Sequence, residues 1–121
     1  MITSIRTALT QLGYKVHQTR QEKISTNELV VVLEDVSISP LEISNQYVAS
    51  CWILIEWDTN TPDNIPIQIA DLLSKLEKKI KDVTGVDCKA TFKFIQSEVN
   101  QLGLMYRVTI IIEYLEEISF D

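Results

Sequence analysis

The chain has 121 residues, 45% of them apolar and 23% charged, and carries a net charge of −6 at pH 7. That size and mixture suit one folded domain spanning residues 1–121 and exclude a disordered chain. The acidity argues against a protein that works by holding nucleic-acid phosphates, and no run nears the roughly 20 apolar residues of a membrane span.

The opening segment, MITSIRTALT, lacks the basic, apolar and small-residue zones of a signal peptide, so a chain made in the cytoplasm is expected. Its Ile2, Ile5 and Leu9 continue to Leu12 at helical spacing, and Gly13 closes the stripe. Residues 14–19 read as a short strand and 20–27 as a polar loop or hairpin connection. Leu29–Leu33 is a continuous apolar run rich in β-branched residues, which predicts a strand buried on both faces. Residues 35–46 contain Pro40 but also Val36, Ile38, Leu41 and Ile43, and read as a long, partly apolar loop or irregular arm.

Residues 47–57, YVASCWILIEW, predict a long strand with Tyr47, Ala49, Cys51, Ile53, Ile55 and Trp57 on one face. Pro62 falls in the break that follows. Pro66, behind Asp63 and Asn64, marks the start of a helix whose stripe runs Ile69, Leu72, Leu73, Leu76, Ile80 and Val83 and stops at Gly85. The last third reads as a hairpin. Ala90, Phe92 and Phe94 alternate with polar residues, Asn100–Gly103 supplies the turn, and Tyr106 to Tyr114 alternate again on the return. Glu116–Asp121 reads as a frayed acidic tail. The order is α-β-β-β-α-β-β, an α+β fold in which two helices pack on one face of a mostly antiparallel sheet.

The sequence offers little for catalysis. His17 is the single histidine, Cys51 lies within an apolar strand, and Cys88 has no nucleophile motif around it. No ligand spacing suggests a metal, and Gly13, Gly85 and Gly103 all fall at element junctions rather than in a phosphate-cradling loop. Asp35, Glu56, Asp58 and Glu116–Glu117 read as solvated strand-end carboxylates. Lys75, Lys78, Lys79 and Lys81 suit the C-terminal end of a helix. The expectation is a non-enzyme with no cofactor, no metal and no catalytic residue.

Apolar surface is in excess. Two helices about 10 Å wide cover roughly four strands on one face. Yet Leu29–Leu33 is apolar on both faces, and Trp52 and Leu54 point away from Ile53 and Ile55. The arm 35–46 or a neighbouring subunit is expected to cover the second face, the alternative being that these positions pair large and small residues in a compact core.

Several segments together, MITSIRTAL with QLGYKV, then ELVVVLEDV, ILIEW, IPIQIADLLSKLEKKI and YRVTIIIEYLEE, resemble the tail terminators and head–tail joining proteins of tailed bacteriophages. The resemblance implies a virion protein at the head–tail junction and a homo-oligomeric ring, six-membered in tail terminators, that caps the tail tube. The implied partners are copies of the chain itself, the tail tube protein and a head completion or connector protein, with no sequence-specific nucleic-acid binding and no membrane. An acidic surface would suit a channel through which DNA passes. On that reading Val36, Ile38, Leu41, Ile43 and Trp57 are the candidate interface residues, the alternative being that they pack on their own domain. The rival function is a small ligand-binding or regulatory α+β domain with a pocket between sheet and helices.

Overall fold

The computed structural model describes residues 2–41, 46–84 and 91–119. Their order is α1 (Ile2–Gln11), β1 (Lys15–His17), β2 (Glu28–Pro40), β3 (Gln46–Thr59), a 3₁₀ turn (Pro62–Asn64), α2 (Ile65–Thr84), β4 (Thr91–Leu102) and β5 (Met105–Ser119). The five strands form one sheet in the order β1-β2-β3-β5-β4. Only β1 and β2 run parallel; the other three pairings are antiparallel. The α+β class and the expected element order hold.

Helix α1 ends as the glycine signal requires. The Leu9 carbonyl accepts the Tyr14 N–H at 3.2 Å and the Thr10 carbonyl accepts the Gly13 N–H at 3.0 Å, a Schellman closure with Gly13 at φ +100°. Ile5, Ala8 and Leu9 of α1 and Ile65, Leu72, Leu76 and Ile80 of α2 form one buried cluster with the helix-facing side of the sheet. That side is Leu29 and Val31 of β2, alternate residues Cys51 to Trp57 of β3, and Val108 to Tyr114 of β5. Full burial of a side chain such as Leu76 or Ile53 contributes about 1.5–3 kcal/mol each.

Four sequence expectations need correction. Residues 35–40 are no loop: they continue β2 past a bulge between Leu33 and Asp35 and pair through to Pro40↔Tyr47. Their alternation of apolar residues with serine is a strand signal, and Pro40 stands at the strand end, where a missing N–H is tolerated. The stretch from Glu116 to Ser119 is not frayed, because β3 is long enough to pair it down to Gln46↔Ser119. Asn100–Leu102 belong to β4, and the hairpin loop is Gly103–Leu104, with Gly103 at φ +64° in the first central position of a II′-like turn. Finally, Leu29–Leu33 is not buried on both faces throughout, since Leu33 is 45% exposed beyond the reach of the helices. Ile43, Gly85 and Cys88 lie outside the described residues.

Candidate functional site

The second face of the sheet is covered at one end, but not by the segment expected to do so. After β1 the chain leaves the sheet edge, and residues 18–24 cross the outer face as a strap. Glu56 of β3 and Thr109 of β5 are paired neighbours on that face, as are Asp58 and Arg107. Glu56, fully buried, accepts Arg20 Nε at 2.8 Å and Nη2 at 2.7 Å, and the Thr109 hydroxyl at 2.8 Å. Asp58 accepts Arg107 Nε at 2.7 Å, Arg107 Nη2 at 3.0 Å and the backbone N–H of Ile24 at 2.9 Å. Arg107 also donates to the carbonyls of Gln21 and Glu22. Two bidentate guanidinium–carboxylate pairs therefore fasten the strap, and Ile24 is pressed into the interior beside them.

The electrostatics follow from that geometry. Burial would raise the Glu56 and Asp58 pKa values, but the arginine hydrogen bonds and charges outweigh it and hold both carboxyls below their ordinary range. Hydrogen bonding to the carboxylates likewise raises both guanidinium values. The reading of Glu56 and Asp58 as solvated strand-end groups is thus corrected: Glu56 is buried, Asp58 is half-buried with its side chain turned in, and both are paired. A signal for this was present. Glu56 and Asp58 share one face of β3 at i, i+2, and Arg107 and Thr109 repeat that spacing on β5, so charged residues interrupt two apolar strands in matching positions.

Further along the same face the packing thins. Trp52 is 38% exposed and its Nε1 donates to Glu113 Oε2 at 3.3 Å; Ser50 Oγ donates to the same oxygen at 2.8 Å. Lys93 on β4 stands 3.5 Å from the other Glu113 oxygen. The Ser50 hydroxyl, the Trp52 indole and Lys93 together depress the Glu113 pKa against a modest burial effect.

The helix-facing side carries the more unusual surface. Register places Leu33, Val36 and Ile38 opposite Ile53, Cys51 and Ala49, so all three face the helix layer. The helices do not extend over them: Val36 is 41% and Ile38 is 59% exposed. Leu41, whose N–H donates to the Gln46 carbonyl at 2.9 Å, is also exposed. The β2–β3 ribbon thus projects as a blade with an open apolar side. Of the five candidate interface residues, Val36, Ile38 and Leu41 lie on or beside this blade and Ile43 is outside the described residues. Trp57 is elsewhere: it belongs to the buried core, and its indole donates to Gln68 Oε1 of α2 at 3.0 Å.

A cleft of about 410 Å³ opens beside that tryptophan, lined among others by Tyr14, Glu28, Trp57, Thr59, Gln68 and Asp71. Gln68 is held firmly there, its Nε2 donating to Thr59 Oγ1 at 3.0 Å and Thr61 Oγ1 at 3.1 Å. At the same end, His17 Nε2 meets Glu28 Oε2 at 3.0 Å, a contact that lowers the Glu28 pKa. Among the described residues no group of three or more His, Cys, Asp or Glu side chains is placed to hold a metal ion.

No family model and no curated protein matches the chain. Among solved structures, a chain from the virion of a native gene transfer agent particle is similar over 97% of this chain and 94% of its own. The identity is 11% and the TM-score 0.45.

Proposed function

We propose that the chain is a non-enzymatic structural subunit of a phage-type virion. Copies join in a ring that caps the tail tube and meets the head. The observation that carries this reading is the blade: Leu33, Val36 and Ile38 are held open to solvent on a regular, well-paired ribbon. A contiguous exposed apolar surface on an ordered element is the usual mark of an interaction site. The sequence resemblance to tail terminators supports the same assignment, and a net charge of −6 suits a channel that DNA must pass without sticking.

Light scattering behind size exclusion tests the ring. The expected species is near six times the 13.8 kDa chain, visible as annuli by electron microscopy. The virion role is tested by removing the gene from its phage, which should leave tails of uncontrolled length without heads. Tails of normal length joined to heads would overturn it.

The cleft beside Trp57 favours a second reading, a small-molecule-binding domain. Its test is thermal stabilisation by a metabolite library, with loss of the response in Gln68→Ala.

A further inference from the structure

Among the described residues the sheet has two edges without a strand neighbour, and they match each other. On one side β1 pairs with β2 only through Val30, so β2 has no strand neighbour beyond it among the described residues. Arg6 caps the Val31 carbonyl at the point where β1 stops, with Nη2 at 2.9 Å. On the other side β4 is the last strand of the sheet over its whole length.

Register links the two edges row by row. One row runs Leu33, Ile53, Ile112, Phe94; another runs Val36, Cys51, Tyr114, Phe92. Both lie on the helix side and end in apolar residues at each edge, with Phe94 43% exposed like Leu33. Between them, on the outer side, runs Asp35, Trp52, Glu113, Lys93, which ends in a carboxylate on β2 and an ammonium on β4. Because β2 and β4 point in opposite directions in the sheet, a second copy set alongside in the same orientation presents an antiparallel partner.

We propose that copies of this chain associate head to tail, the free half of β2 in one copy pairing with β4 of the next to continue the sheet between subunits. The pairing is confined to the start of β4, before its bulge at Phe94/Gln96, because β1 already lines β2 as far as Val30; it sets Leu33 and Val36 beside Phe94 and Phe92, and Asp35 beside Lys93. A register shift of two residues keeps every side chain on its face. Pairing β2 with β2 instead would bring two Glu34–Asp35 segments together, which like charges oppose. In the free chain Asp35 Oδ1 accepts the Val36 N–H at 2.8 Å, a local cap that pairing displaces. A head-to-tail contact is also the kind that closes into rings. The inference rests on the ring reading above and specifies how the ring is made.

Two single-edge variants test it: Val36→Lys blocks β2, and Phe94→Lys blocks β4, both at exposed positions. Each alone should be monomeric, and an equal mixture should give dimers and nothing larger, because one sound edge of each kind remains. Circular dichroism and thermal unfolding check the fold, and Phe94→Ser replaces Phe94→Lys should the lysine variant unfold. Dimers of Phe94→Lys alone would overturn the proposal in favour of β2–β2 pairing. Full-size rings from either variant would overturn it while leaving the ring itself intact. A wild-type chain that stays monomeric at its highest soluble concentration would overturn it as well, with the virion role still decided by the gene deletion.

Discussion

Arg20 Nη2 lies 2.7 Å from Glu56 Oε2, joining a guanidinium that is mostly in solvent to a carboxylate with no solvent access. The pair is asymmetric in what each loss leaves behind. Removing the arginine strands a buried charge; removing the carboxylate frees a cation into water.

Arg20→Ala should therefore destabilise the chain more than Glu56→Gln does, by about 2–3 kcal/mol against about 1–2 kcal/mol. Urea unfolding at pH 7 measures both. In the double variant the two losses should not add, since each abolishes the same contact.

The pH dependence has a defined sign. Glu56 and Asp58 have folded pKa values below the unfolded values of about 4. Between the two the unfolded chain binds more protons, so stability increases with pH. The contribution is complete above the unfolded values and is lost as pH falls through the folded ones. Urea midpoints should be level from pH 7 to about 5 and then drop, and the drop should be shallower in Glu56→Gln with Asp58→Asn.

The two tryptophans should report on different environments. Trp57 is 9% exposed and Trp52 is 38% exposed. Trp52→Phe should leave blue-shifted emission that acrylamide quenches poorly, and Trp57→Phe the reverse. Trp57→Ala should cost about 3–5 kcal/mol, and Trp52→Ala under about 1 kcal/mol.

Gly13→Ala isolates a backbone effect. A Cβ there would meet nothing within 4 Å, so the φ of +100° alone sets the cost. About 1–2 kcal/mol is expected, read from thermal unfolding, and Gly13→Asn should lose less.

What the sequence revealed follows what is local. The Ile5–Leu9 stripe and Gly13 define α1 because helix contacts and the Schellman closure lie within a few residues. The alternation from Tyr106 to Tyr114 defines β5 for the same reason. The β2 blade was hidden because Pro40 and the serines imitate a loop, while the partner that makes residues 35–40 a strand lies in β3. Trp57 looked like a surface residue because its burial depends on α2, which folds back only after the Pro62 turn. The strap was hidden most deeply. Arg20 and Glu56 are 36 residues apart, and Gln21 and Arg107 are 86 apart, so no window along the chain contains either contact.

The three-residue length of β1 has a consequence of its own. By drawing residues 20–24 onto the outer face, Glu56 and Asp58 remove the one stretch of chain that could have run on beside β2. The ionic contacts hold that segment while both carboxyls are charged. Acid, or loss of these anions, would therefore weaken the strap's hold on the outer face.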